Sequence, residues 1–169
     1  MILRAAISGK TQNASTADVS AIRDCVEVNL IGLVQTTTTF LPLLRASPQA
    51  VILNVSSGLA SDTWLASNAP LLQAISYSTS KTAANSYTIA LAQELKKEGI
   101  KVNAATPGVT STKLNNYHPA GKTARQGAEC LLPWALIDKD GPTCEYCCNA
   151  LFEIFILVLY RPIFFITVR

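Results

Sequence analysis

The sequence contains one histidine, His118, and no second cysteine pair to complement the Cys144, Cys147 and Cys148 cluster. A four-ligand zinc site needs partners that this C-x-x-C-C arrangement lacks, so no metal is expected. There is no basic run and no interleaving of basic with aromatic residues. The net charge is only +3, which argues against a nucleic-acid partner. The opening Met1-Ile-Leu-Arg-Ala-Ala is too short and too weakly apolar for a signal peptide. The N-x-[ST] triplets at Asn13 and Asn54 are therefore read as chance, and the expected location is cytoplasmic. No internal repeat or low-complexity segment is found. The longest uninterrupted apolar piece near the end, Ile154 to Tyr160, is far short of the ~20 residues that a membrane-spanning helix needs. Extending it would bury Arg161 and take in Pro162, at a considerable cost. A membrane partner is not expected.

What remains is a chain of 169 residues, 49% hydrophobic, with a mean hydropathy of +0.27. That length suits a single domain with one sizeable core. The apolar excess is local: it concentrates after residue 147, where the composition shifts. The division expected is a catalytic domain over 1–146 and a hydrophobic tail over 147–169. Two stretches have helical character. The first runs from about Ser15 to Leu44, with Ser15 and Asp18 as a capping pair, Ile22, Val26, Leu30, Leu33 and Val34 at helical spacing, and Pro42 marking its end. The second runs from about Ser76 to Glu98 and is closed by Gly99, with Lys96 and Lys97 in the last turn, where positive charge suits the helix dipole. Between them Ala50-Val-Ile-Leu-Asn-Val-Ser56 reads as a strand, and after them Ile100 to Ala105 as another, stopped by Pro107-Gly108. Strand, helix, strand is a βαβ unit, so the fold class is α/β with a parallel sheet covered on both faces. A further helix is expected from Thr123 to Ile137, interrupted by Pro133.

The chemistry concentrates in Tyr77-Ser-Thr-Ser-Lys81. Residues four apart share a helix face, so phenol and ammonium point the same way. A phenol titrates near ~10, and a neighbouring cation favours the phenolate, which makes Tyr77 a candidate general acid or base. Upstream, Asn54-Val-Ser-Ser57-Gly runs a strand into hydroxyl-bearing residues. Downstream, Val102-Asn-Ala-Ala-Thr-Pro107-Gly108 ends another strand at the same edge, where open α/β sheets place their ligands.

These motifs in this order, with Thr112 after the last and Glu27-Val-Asn29-Leu-Ile-Gly32 before the first, resemble the short-chain dehydrogenase/reductase family over about residues 20–115. The stretch from Gly121 through Trp134 to Pro142 is similar to carbonyl-reductase-like members. The resemblance implies a partial Rossmann-like, doubly wound parallel sheet. It also implies NAD(P)-dependent reduction of a carbonyl, or oxidation of a secondary alcohol, by hydride transfer. The catalytic set implied is Asn29, Ser57, Tyr77 and Lys81. Tyr77 is the acid, Lys81 lowers its pKa and binds the nicotinamide ribose, Ser57 holds the substrate oxygen, and Asn29 supports a water relay to Lys81. The cofactor contacts implied are Asn29, Tyr77, Lys81, Pro107, Gly108 and Thr112. The cofactor is NADP or NAD, with NADP preferred, and the substrate is a small carbonyl or alcohol. A homo-oligomer through the two long helices is a further expectation, with Val34, Ala90 and Leu91 as positions that either serve it or equally face the sheet.

The departures from the family pattern are as specific as the matches. No T-G-x-x-x-G-x-G turn occurs, and N-N-A-G is reduced to Leu3-Arg4-Ala5-Ala6. The chain is therefore expected to begin inside the family's fourth strand, as a shortened gene product would, and to bind the cofactor weakly by itself. The segment between Ser57 and Tyr77, with Trp64, Pro70, Leu71 and Leu72, is long and could border a hydrophobic substrate pocket. After Gly141-Pro142-Thr143 the family continues with a glycine and an aromatic, where this chain has Cys144 and Tyr146. Two other readings stand beside the enzyme: an inactive fragment that associates with an intact relative, and a tail-anchored membrane-associated protein.

Overall fold

The β-branched run Val51-Ile-Leu-Asn-Val55 and the similar run 101–105 each have the length of a buried strand and lack a helical period, and both pair as expected. The computed structural model describes residues 1–67 and 73–147. Pro70, Leu71 and Leu72, Cys148 and the hydrophobic tail beyond it lie outside the described residues. Among the described residues four parallel strands form one sheet: β1 (Ile2–Leu3), β2 (Val51–Val55), β3 (Lys101–Ala105) and β4 (Tyr146–Cys147), in that spatial order. The register runs Leu3 beside Asn54, Val55 beside Ala105 and Ala104 beside Tyr146.

Successive strand residues point to opposite faces, and this divides the core. On one face Ile52 and Val102 pack with Leu91, Ala92 and Leu95; on the other, Leu53 and Ala105 meet Leu131, Trp134 and Ala135. Ile52, Leu53, Leu95 and Val102 are wholly buried, each contributing about 1.5–3 kcal/mol by its removal from water. Helices on both faces make the sheet doubly covered, as the βαβ pattern implies.

The first long helical stretch differs from its sequence reading in three places. Ser15 does not cap it; residues Ala14–Thr16 form a separate 3-10 turn, and helix α1 (Val19–Val26) is capped by Asp18, which accepts from the Ser20 amide at 2.9 Å. The helix is not uniformly α. Residues Glu27–Ile31 form a π turn in which the Gly32 N–H reaches back to the Glu27 carbonyl, and Asn29 lies within it. Such single π turns often mark functional positions. Pro42 does not end the stretch either, since helix α2 runs Gly32–Arg45. In the last turn a proline removes one N–H bond without interrupting a longer helix.

After a 3-10 turn at Gly58–Ala60 and the short helix α3 (Asp62–Ala66), helix α4 spans Ile75–Leu95. It continues as a 3-10 turn and stops at Gly99, whose φ of 74° is the left-handed conformation that favours glycine. Its buried face changes character along its length. The first part buries Ser76, Ser80, Lys81, Asn85 and Thr88; the last turns bury Leu91, Ala92 and Leu95. Leu91 thus packs in the core rather than on an association surface, while Ala90 is exposed and Val34 half-buried. The stretch expected as one interrupted helix is two, α5 (Ala124–Glu129) and α6 (Leu132–Ala135), with Pro133 in the first turn of α6, where a missing N–H costs nothing. No helix among the described residues is long and apolar enough to cross a membrane.

Candidate active site

The polar half of α4 lies against the carboxyl end of β2, and several of the buried hydroxyls and amides there have a specific partner, although Asn54 Oδ1 has none among the described residues. Asn54, in β2, donates from Nδ2 to Thr88 Oγ1 at 2.8 Å, and Ser56 donates from Oγ to Asn85 Oδ1 at 2.6 Å. With Ser56 occupied in this way, Ser57 is the serine left facing the edge of the sheet. Buried polar groups need such partners, because an unmatched one costs about 1–3 kcal/mol.

Asn29 is buried and clamps the segment that follows β1 at two points. Its Oδ1 accepts from the Ile7 amide at 2.8 Å, and its Nδ2 donates to the Ile7 carbonyl at 2.9 Å. The same Nδ2 donates to Ser80 Oγ at 2.9 Å, one residue before Lys81. The side chain therefore joins three segments, and its route to Lys81 passes through α4 and not through direct contact.

Lys81 is 3% exposed and donates from Nζ to the Val55 carbonyl at 3.0 Å. Burial lowers its pKa to about 8, because removal from water penalises the charged form. Nζ stands 5.9 Å from the centroid of the Tyr77 ring. An ammonium has three donors, and among the described residues only the Val55 bond engages one. A buried cation with donors to spare, beside a phenol, fits the hydroxyl oxygens of a ribose.

Tyr77 is half-buried, and the Ser57 hydroxyl is near enough to act on its phenol. Burial pushes the phenol up from its ordinary value, and the Ser57 hydroxyl is an influence that pulls it down. The sequence reading gave that downward pull to Lys81. In the structure the ammonium donates to the Val55 carbonyl and stands 5.9 Å from the ring centroid, and Ser57 adds a downward pull of its own. A raised pKa keeps the phenol protonated at neutral pH, the form required to donate a proton.

Pro107 and Gly108 follow β3, whose neighbour β2 leads into Ser57; the Ser56 amide donates to the Ala105 carbonyl at 2.8 Å, continuing the ladder to the site edge. Gly108 has φ 73° and its amide donates to Thr106 Oγ1 at 3.1 Å. Thr112 stands farther along, where its amide donates to Asn115 Oδ1 at 3.1 Å at the start of the 3-10 turn Lys113–Asn115. The structure thus brings Ser57, Tyr77 and Lys81 together, joins Asn29 to them through Ser80, and leaves Thr112 in a locally bonded turn. Two residues that the sequence reading did not place among the site residues also contact them. They are Ser80, hidden inside the Tyr77–Lys81 spacing, and Tyr146, whose hydroxyl donates to the Ser57 carbonyl. Among the described residues no group of three or more His, Cys, Asp or Glu could hold a metal.

The Lys81 environment has a measurable consequence. Between pH 8 and 10.5 the unfolded chain binds more protons than the folded one, so stability contributed at this site rises with pH across that window and the full penalty is present below it. Lys81→Met is expected to be more stable than the parent at pH 7 by about 2–3 kcal/mol, after allowing for the lost Val55 bond, and the gap should close toward pH 10.5. Urea unfolding of both chains at pH 7 and 9.5 checks this. A gap independent of pH would mean that the ammonium is not buried.

Residues 1–123 match the family model described as short chain dehydrogenase. Human 17-beta-hydroxysteroid dehydrogenase type 2 is 38% identical over 92 residues, covering 54% of this chain and 22% of its own. Salutaridine reductase of Papaver somniferum is 28% identical, covering 71% of this chain and 49% of its own. Among solved structures, a short chain dehydrogenase from Burkholderia cenocepacia in complex with NADP superposes with a TM-score of 0.72 at 28% identity, covering 94% of this chain and 62% of that one. The chain spans about half or less of the length of these two curated relatives. With the family model matched over most of its length and the parallel sheet shared with solved members, the chain belongs to the short-chain dehydrogenase/reductase family, a family of oxidoreductases.

Proposed function

We propose that the protein containing this chain reduces a carbonyl, or oxidises a secondary alcohol, with NADP or NAD as hydride carrier. The observation that supports this reading best is the convergence of the Tyr77 phenol, the Ser57 hydroxyl and the Lys81 ammonium at the carboxyl end of β2. The nicotinamide cofactor, when bound, supplies or accepts the hydride. Ser57 hydrogen-bonds the substrate oxygen and holds it near Tyr77. In the reducing direction Tyr77 gives that oxygen its phenolic proton; in the oxidising direction it takes the proton back. The Lys81 ammonium, held by Val55, lies one helical turn from the phenol and stabilises negative charge as it forms there. Its two spare donors would hold the nicotinamide ribose, and Pro107 and Gly108 would border the ring. Asn29 keeps the loop after β1 and the Ser80 turn in place, and water at the π turn would relay protons to Lys81.

The names of two relatives, a hydroxysteroid dehydrogenase and a reductase, make secondary alcohols and ketones on small molecules the class to test first. Association through the outer faces of α2 and α4, where Phe40, Leu43 and Ile89 are exposed, and a cytoplasmic location belong to the same proposal; sedimentation and fluorescence microscopy test them. The chemistry is tested by following NADPH absorbance with a panel of ketones, and NADP+ or NAD+ with the matching alcohols, using the protein joined to a family-type nucleotide-binding half. Loss of NADPH coupled to formation of one alcohol per cofactor is the expected result. No turnover with any member of the panel, in a protein shown to bind NADPH, would overturn the reading.

A further inference from the structure

Tyr146 stands in β4 beside Ala104 of β3, in the stretch where this sequence leaves the family pattern. Its hydroxyl donates to the carbonyl of Ser57, 89 residues earlier in the chain. That carbonyl also accepts from the Ala60 amide at 2.9 Å. Two donors on one carbonyl, arriving from different segments, fix the peptide plane that follows Ser57. Ser57 itself is extended, with φ −150° and ψ 149°, so fixing that plane sets the direction of its Cα–Cβ bond. The hydroxyl at the end of that bond accepts from the Leu59 amide at 3.2 Å and lies near enough to the Tyr77 phenol to act on it.

We infer that Tyr146 is a positioning residue: its hydroxyl holds the Ser57 carbonyl and thereby aims the Ser57 side chain at Tyr77 and at the substrate oxygen. This rests on the proposed roles of Ser57 and Tyr77. A turn that leads out of a strand has few ladder bonds of its own. Here the Gly58–Ala60 turn secures one side of the carbonyl, and a phenol from the far side of β3 secures the other. A single neutral hydrogen bond contributes little to folding, about 0.5–1.5 kcal/mol, whereas the aim of a reacting hydroxyl is sensitive to small displacements.

The test follows the Tyr77 phenol by NMR of the full 169-residue chain labelled with 13Cζ-tyrosine, with Tyr77 assigned by its loss in Tyr77→Phe. The groups facing that phenol are Ser57, Lys81 and Cys25, and Lys81 and Cys25 are unchanged throughout. Ser57→Ala is expected to raise the Tyr77 titration midpoint by roughly 0.5–1 pH unit, the equivalent of one hydrogen bond. Tyr146→Phe should raise it similarly, the double variant should raise it no further, and Tyr146→p-aminophenylalanine, which keeps a donor, should restore the parent midpoint. A purely structural role would move stability without this non-additive pattern. The proposal is overturned if Tyr146→Phe leaves the midpoint alone while Ser57→Ala moves it, or if the p-amino variant folds yet titrates like Ser57→Ala. Should Tyr146→Phe fail to fold, the p-amino variant alone decides. If Ser57→Ala itself moves nothing, the Ser57–Tyr77 pair is not formed, and the proposed function loses its main support together with this inference.

Discussion

Tyr77→Phe is expected to lower kcat for carbonyl reduction about 10²–10⁴-fold, the usual contribution of a positioned general acid, with NADPH affinity nearly unchanged. The ring that stands 5.9 Å from Lys81 Nζ is retained, so the ammonium keeps its aromatic neighbour and its bond to the Val55 carbonyl. What is lost is the phenolic hydroxyl, with the proton it carries for the substrate and its proximity to Ser57. The folded state should change little, since one neutral hydrogen bond contributes about 1 kcal/mol. The measurement is steady-state turnover and NADPH titration of both forms, in a protein that joins this chain to the family's nucleotide-binding half. Turnover within a few-fold of the parent would remove Tyr77 from the mechanism.

The second large effect concerns the 169 residues by themselves, which should show no one-site binding of NADPH in the micromolar range. Pyrophosphate recognition in this fold depends on backbone N–H groups at a glycine-rich turn and on the N-terminus of the helix that follows. No such turn occurs in the sequence. The groups available are the two spare donors of Lys81 and the Pro107-Gly108 turn, which address the nicotinamide end. A cavity of about 340 Å³ is lined by Leu3, Ala5, Glu27, Val28, Gly32, Leu33 and Thr36, with no basic side chain to meet a pyrophosphate. Isothermal titration of the purified chain with NADPH decides the matter. Micromolar affinity at one site per chain would show that half of the nucleotide fold suffices.

What was legible in the sequence is what short-range spacing encodes. The strand 51–55, the strand 101–105 and the helix between them follow from β-branched runs and from Gly99 at a helix end, and the parallel sheet follows from their order. The Tyr77–Lys81 pair follows from four-residue spacing on a helix, and Ser57 and Pro107-Gly108 from their places at strand ends. Even so, local rules misassigned the cap at Ser15 and the stop at Pro42. A residue's preference for a helix end holds only when neighbouring segments leave it free to act, and Ser15 is taken up in its own 3-10 turn.

Only the tertiary structure decided the rest. Along α4 the buried face is polar near the site and apolar beyond it, so no hydrophobic period announces which side faces the sheet. Asn29 meets Ile7 and Ser80, and Tyr146 meets Ser57, across separations of 22, 51 and 89 residues. Leu91 and Ala90 are adjacent, yet one is in the core and the other in solvent. The Lys81 ammonium is displaced from its ordinary pKa by burial that its sequence neighbours do not report. Helical and strand periodicity state which residues share a face. Which face is buried, and which distant hydroxyl or carbonyl completes each hydrogen bond, depends on how the loops close and the layers stack. That closure sets the protonation state of the phenol and the ammonium on which the proposed chemistry depends.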